Sequence, residues 1–320
     1  MFESGLFSAT ATAPATVSNV AVGFDILGFS LSGLSDRVTV RRSETKGVHL
    51  VNIENADFPL PEDPEENTAT AGLRALVEDR DLDFGLEVTV EKGIPQRCGL
   101  GGSAASAVAA VVAASAVLDE GLTLPERFHY ALLSETLVAG SPHGDNIAPA
   151  LLGGLILLRS MDPLDILRIP VPHDMGVVIV RPHQEVDVRK ARQLLTREIS
   201  LEDFIAQTSN LAGVIGGCFT DDRALIGRSL QDLIVERQRA HMIPAFDEVK
   251  AAALAAGALG CSISGAGPTL FALHDFDVDA EALRDAMLSA FQNQGIDATG
   301  HLSPINGLGA HLVAREERPL

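Results

Sequence analysis

The run Gly99-Leu100-Gly101-Gly102-Ser103-Ala104 leads from a glycine turn into a long alanine and valine segment. The chemistry such a junction offers is anion binding. Glycines let the backbone approach a polyanion and take positive φ, while a following helix presents unpaired N–H groups and the positive end of its dipole. No Lys follows the glycines and the spacing is not Gly-x-Gly-x-x-Gly, so a nucleotide here would be held mainly by backbone and dipole. A tight loop without a ligand is the competing reading. Asn19 and Asp25, on either side of Gly23, suit either the recognition of an ammonium or hydroxyl or the closure of an Asx turn. His143, Asp145 and Asn146 crowd between Gly140 and Pro149, which is poor core sequence and good active-site sequence, with a capping turn as the alternative. A second glycine cluster, Ser264-Gly265-Ala266-Gly267-Pro268-Thr269, is also explained by hairpin geometry alone. Arg237 and Arg239 read as a solvated basic face.

The elements that must position these residues follow from periodicity. The segment 10–22 is strand-like and ends in the Asn19–Asp25 loop; 37–42 and 48–53 alternate at period two and are expected to pair with each other. A Pro- and acid-rich loop at 57–66 delivers Asn67, Thr68 and Thr70 to a helix over 71–77. Strand 85–91 feeds the glycine run, and the helix expected over 103–118 carries no charge before Asp119, so it must be buried on most sides. An amphipathic helix over 125–138 carries Glu135; a loop at 140–149 and a buried strand at 153–158 follow. The Pro- and Asp-punctuated stretch 161–172 marks a boundary, giving domains 1–162 and 163–320. Beyond it come a strand at 176–182 and helices at 188–195, 201–219, 224–235 and 244–256. Strands at 260–263 and 270–273, a helix at 278–292, and strands at 297–304 and 309–314 complete a β-α-β-β-α-β type of pattern.

Length and composition narrow the class. A chain of 320 residues exceeds the usual single core, so two domains are the default. A formal net charge of −19 argues against nucleic acid, which needs a basic surface. It does not exclude ATP, because screening at cellular salt cuts off distant charge within about 8 Å. No apolar run reaches membrane-span length and no export signal opens the chain, so a cytoplasmic protein is expected. Cys98, Cys218 and Cys261 are widely spaced in apolar or glycine-rich sequence and read as small core residues, neither disulfides nor a metal site.

Three blocks in order, Thr12-Ala13-Pro14-Ala15-Thr16-Val17-Ser18-Asn19 with Gly23-Phe24-Asp25, then Gly99 to Ala105, then Ser264 to Thr269, resemble the motifs of the GHMP small-molecule kinases. Asn19 with Asp25, the His143 to Pro149 stretch leading to Gly153-Gly154, the pair Ala191-Arg192, and Glu236 to Arg239 ahead of Pro244 are most similar to the homoserine kinases within that superfamily. The resemblance implies an α+β, two-domain GHMP kinase fold, with an N-terminal domain like domain 2 of ribosomal protein S5 and a ferredoxin-like C-terminal domain. It implies ATP phosphates at Gly99, Leu100, Gly101, Gly102, Ser103 and Ala104, with Asn67 near the adenine or ribose. Mg²⁺ would sit on Ser103 and Glu135. Asn19 and Asp25 would meet the ammonium of homoserine, Arg192 and Arg239 its carboxylate, and His143 and Asn146 its hydroxyl end. Asp145 would be either the general base or a loop anchor, and the anchor is favoured. A homodimer is implied as well. Two positions depart from the family pattern: Gly102 stands where Ser is usual, and Val188 where Thr is usual ahead of the arginine. A GHMP kinase for mevalonate-like or sugar alcohols, and a nucleotide-binding regulator without turnover, are the rival readings.

Overall fold

The computed structural model describes residues 5–184, 188–196 and 198–317. The alternating N-terminal runs become β1 (Ser8–Ser18), β2 (Leu27–Ser43) and β3 (Val48–Glu54); helix α1 (Ala71–Asp79) and β4 (Gly85–Glu91) follow. β1 and β2 are antiparallel, β2 and β4 are antiparallel, and β3 joins β4 in parallel. The expected pairing of 37–42 with 48–53 is therefore corrected, because β4 lies between them in the order β1-β2-β4-β3. The parallel β3 edge becomes possible because α1 lies on the crossover from β3 to β4.

The uncharged helix is α2 (Gly102–Val117), buried on almost every side and packed on β1, β2 and α3 (Leu124–Ala139). Its small side chains let the sheet and neighbouring helices approach closely, which an amphipathic helix would not permit. α3 opens with a reciprocal capping box between Thr123 and Glu126 and ends at Gly140 in the left-handed conformation. The stretch expected as a loop at 140–149 is in fact helical: α4 runs Gly144–Leu152, with Pro149 inside it. Gly144 permits this because a Cβ there would lie 2.5 Å from the Leu158 side chain.

β5 (Leu155–Met161) and β6 (Leu164–Ile169) form an antiparallel hairpin on the first sheet through β2. A cut at 162/163 falls inside that hairpin, so the change of layer comes after Ile169. The second sheet has the order β10-β7-β9-β8, all antiparallel, from β7 (Gly176–Pro182), β8 (Gly260–Ile263), β9 (Leu270–His274) and β10 (Ala298–Pro304). Between β7 and β8 lie α5 (Val188–Gln193), α6 (Leu201–Thr220), α7 (Arg223–Ser229), α8 (Val235–Arg239) and α9 (Phe246–Ala255); α10 (Ala280–Asn293) connects β9 to β10. The helix expected over 224–235 thus ends at Ser229 and a new one starts at Val235, where Asp232 accepts from the backbone N–H groups of Ile234, Val235 and Glu236. The last strand, β11 (His311–Glu316), returns to the first sheet and pairs with β1.

β7 joins the two layers. Val177 and Ile179 point into the larger core with α2, whereas Val178 and Val180 point into a second core with Phe246, Met287 and Phe291. Burial on both faces explains why this strand reads as a continuous apolar run. Phe29 of β2 and Phe271 of β9 meet edge to face at 6.1 Å across the same junction.

Candidate active site

A cleft of about 320 Å³ opens where the two layers meet, and the glycine run forms one wall. Gly99 and Gly101 have φ of +80° and +64°. A Cβ on Gly101 would lie 2.1 Å from Thr16 Oγ1 and 2.7 Å from Asn146 Oδ1, so only glycine lets α2 start this close to β1 and α4. A Cβ on Gly99 would lie 2.4 Å from the Ser264 carbonyl oxygen. The second glycine cluster is indeed a β8–β9 hairpin connection, and it is also the partner of the first. Ser264 Oγ donates to the Gly99 carbonyl at 2.6 Å, and the Gly265 N–H reaches the Ser18 carbonyl at 3.3 Å.

Beneath the loop lies a buried ion pair that the sequence motifs did not reveal. Lys92 pairs with Asp36, and both are almost fully buried. Lys92 also donates to the Gly102 carbonyl at 3.0 Å and to Ser106 Oγ at 2.9 Å. Asp36 accepts from the Gly93 and Ile94 N–H groups at 3.0 Å each and from Ser106 Oγ at 2.7 Å. A buried pair is tolerable only when its remaining hydrogen bonds are met, as they are here. The result is a fixed cation directly under the first turn of α2. The register of β2 on β4 could have shown it: Val38 faces Val90 and Val40 faces Val88, and Asp36 and Lys92 fall at the same inward parity.

Ser103 and Glu135 come together from α2 and α3. Ser103 Oγ donates to Glu135 Oε1 at 3.0 Å, and His143 Nδ1 reaches the same oxygen at 2.9 Å. The other oxygen, Glu135 Oε2, is buried without a hydrogen-bond partner among the described residues. An unsatisfied carboxylate oxygen beside a hydroxyl is what a hard cation needs. Among the described residues no cluster of three or more His, Cys, Asp or Glu forms an all-protein metal cage. Burial lowers the pKa of His143, but its hydrogen bond to Glu135 and the charge of that carboxylate outweigh it, and the net shift is upward. Ser141 Oγ sits 3.0 Å from His143 Nε2 and fixes the ring from its other side.

Facing this group is a set of opposite charges. Asp25, at φ +61°, forms a forked ion pair with Arg192 of α5, at 2.8 Å and 3.4 Å. Arg239, expected on a solvated face, is instead only 4% exposed. It donates to the Ala191 and Gly265 carbonyls at 3.1 and 3.2 Å and lies 5.2 Å from the Phe24 ring centre. Burial lowers its pKa, which for a guanidinium still leaves it charged. The helix restart after Asp232 is what carries this arginine inward.

Asn19 and Asn67 line the cleft, but their amides are engaged in local structure. Asn19 Nδ2 donates to the Gly265 carbonyl, and its Oδ1 accepts from the Asp25 N–H, each at 3.0 Å. Asn67 holds the Pro61 carbonyl and the Ala69 N–H at 2.8 and 2.9 Å. Thr16 Oγ1 donates to Asn146 Oδ1 at 2.7 Å, leaving the Asn146 Nδ2 end toward the cleft it lines. Asp145, at the start of α4, is buried and also lines the cleft. Desolvation, reinforced by the charge of Asp25, pushes its carboxyl up to about 7, against the opposing effects of His143 and the backbone N–H groups of Asp145 and Asn19. The Val188 side chain lies outside the described part of the structure. All three cysteines are buried thiols, and burial raises the pKa of each.

Residues 67–154 match the GHMP kinases N terminal domain, and residues 215–293 match the GHMP kinases C terminal domain. The chain is 43% identical to the homoserine kinase of Xanthomonas campestris pv. campestris over 97% of its length and 95% of that protein. It is 41% identical to that of Chlorobium phaeovibrioides, over 94% and 98%. The crystal structure of homoserine kinase from Cytophaga hutchinsonii superimposes with a TM-score of 0.93 at 42% identity, covering 98% of this chain and 99% of that one. The structure of L. major mevalonate kinase shares the fold at a TM-score of 0.70 and 15% identity, over 95% of this chain and 99% of that one. With this likeness along nearly its whole length, and with the α+β two-layer architecture that accompanies it, the chain belongs to the homoserine kinases of the GHMP kinase family.

Proposed function

We infer that the protein transfers the γ-phosphoryl group of ATP to the side-chain hydroxyl of L-homoserine, giving O-phospho-L-homoserine for threonine biosynthesis. The observation that carries this reading is the single cleft in which a glycine-lined helix start faces Asp25, Arg192 and Arg239. The first suits a polyphosphate. The second suits a small molecule bearing both an ammonium and a carboxylate, the guanidiniums meeting the carboxylate as forks.

In this reading the phosphates lie along residues 99–104, and Ser103 and Glu135 would hold Mg²⁺, which would offset the phosphate charge. Lys92, spent on Asp36, Gly102 and Ser106, keeps the loop rigid. Asn146, held by Thr16, and His143, held by Glu135 and Ser141, orient the hydroxyl end. Of the two roles open to Asp145, base or anchor, this reading takes the base, because the residue lines the cleft. Its raised proton affinity lets it accept the hydroxyl proton as the new O–P bond forms and the bond from the γ-phosphorus to ADP breaks. Positioning carries most of the rate, since a loose transition state needs little base assistance.

Purified protein incubated with Mg-ATP and L-homoserine should release ADP above a homoserine-free control; no excess ADP refutes the assignment. Mevalonate and galactose in the same assay should give none, because neither carries an ammonium for Asp25. The exposed Leu201, Phe204 and Ile205 on one side of α6 support a homodimer, and light scattering should return twice the chain mass. No helix among the described residues is long and apolar enough to cross a membrane.

A further inference from the structure

The two groups proposed to read opposite ends of the substrate are bonded to each other across the cleft. Arg192 grips Asp25 through both nitrogens, at 2.8 and 3.4 Å. Asp25 is held at positive φ, with its backbone N–H on Asn19, so it is aimed at this position by the loop and not by Arg192. Arg192 stands on α5 with its side chain 43% exposed, against 32% for Asp25. Arg239, in contrast, is buried and fixed by two carbonyls. Arg192 is therefore open to water on one side and Arg239 is not. A pair this exposed is weakly held, since water and salt screen it on one side.

We propose that the Asp25–Arg192 ion pair stands in for the substrate's own two charges, and that only a ligand carrying both an ammonium and a carboxylate can replace it charge for charge. The proposal rests on the homoserine reading above and deepens it into a rule of selection. A zwitterion gives Asp25 a new cation and Arg192 a new anion, so no charge in the cleft loses a partner. An amino alcohol that takes Asp25 leaves Arg192 without its counter-ion. A hydroxy acid that takes Arg192 leaves Asp25 in the same state. Each must displace the internal pair and returns only half of it. The penalty for a missing ligand charge therefore arises partly from the enzyme's own competing group, in addition to the lost contact.

This arrangement makes a prediction that lost contacts alone do not. Removing Arg192 should make the enzyme better at using a substrate that never touches Arg192. The probes are L-homoserine, 3-amino-1-propanol, which lacks the carboxylate, and 4-hydroxybutyrate, which lacks the ammonium. kcat/KM is measured for each with Mg-ATP in the wild type, Arg192→Met and Asp25→Asn. Arg192→Met should raise kcat/KM for 3-amino-1-propanol by about two- to fivefold, the worth of a partly exposed ion pair, through a lower KM. Asp25→Asn should do the same for 4-hydroxybutyrate. Both variants should lose about tenfold or more on homoserine. A misfolded variant cannot produce a gain, and Arg192→Gln carries the same expectation if Met disturbs α5. Homoserine turnover by the wild type, with no gain on the matched single-charge substrate in the variants, overturns the charge exchange and leaves the function standing. No homoserine turnover by the wild type overturns both.

Discussion

Replacing Asp145 by Asn tests whether the buried carboxyl at the start of α4 is kept for chemistry at a cost in stability. Its ordinary value is 3.8 and the cleft raises it to about 7, first by desolvation and then by the charge of Asp25. The groups that face it are Asp25, His143 and Arg239, with the Asn19 backbone N–H donating to it. A folded-state value above the unfolded one means that the native protein binds more protons between the two. The stabilising contribution of the neutral acid is therefore complete below 3.8 and is lost as pH rises through about 7. At about 1.4 kcal/mol for each pH unit, the full span is about 4 kcal/mol. Asn has nearly the same shape and no charge to lose. Urea unfolding of wild type and Asp145→Asn, measured from pH 4 to pH 8, should give curves that diverge with rising pH, the variant becoming more stable by up to about 4 kcal/mol relative to its low-pH offset. At the same time kcat should fall and lose the wild type's rise near pH 7. Parallel stability curves, or divergence in the opposite sense, would refute the buried-acid account. Unchanged kcat would return Asp145 to the role of anchor.

Glu135→Gln should cut turnover by about a hundredfold or more while circular dichroism stays that of the wild type, because the carboxylate proposed to hold Mg²⁺ is lost and the packing volume is kept. Near-normal turnover would move the metal elsewhere. Gly101→Ala places a methyl 2.1 Å from Thr16 Oγ1 on a backbone at φ +64°; a loss of about 2 kcal/mol or more in denaturant unfolding is expected, with weaker ATP binding by titration calorimetry. Asp36→Ala strands Lys92 in the core and should cost about 3–5 kcal/mol. The double change Asp36→Ala with Lys92→Met should recover part of that loss.

How much was legible follows from which signals are local. Strands β4, β7 and β10 and helix α2 are written in uninterrupted period-two or fully apolar runs, and the sequence reading placed each within a residue or two. The partner of β3 was not legible, because pairing is a long-range choice that alternation leaves open. The 140–149 stretch looked like a loop through its Gly, Pro, Asp and Asn, yet those same residue types begin helices, and here they begin α4. For Arg239 the residue pattern and the resemblance point different ways: a basic residue in a charged run looks solvated, whereas the resemblance implies a place at the substrate, and the turn capped by Asp232 carries it into the cleft. Of the site, the resemblance implies that the glycine run, Glu135 and His143 serve one reaction, and all of them line the same cleft. That Asn19 and Asn67 spend their amides on the backbone, and that Lys92 stiffens the loop from below, are facts of geometry that residue type alone does not carry.

The return of β11 to β1 bears on how the protein is made. Residues 311–316 lie against Ser8–Thr12, and Ser30 Oγ holds the carbonyl of Gly307 at 2.7 Å. A chain leaving the ribosome therefore has its first layer waiting on residues 311–316, about three hundred positions downstream of β1. Until they emerge, β1 has an open edge whose N–H and C=O groups can pair with any passing strand. The N-terminal layer is thus not a unit that can be cut out or folded ahead of the rest. A version ending near residue 305 should be prone to aggregate, and the missing peptide supplied separately should restore it by strand addition.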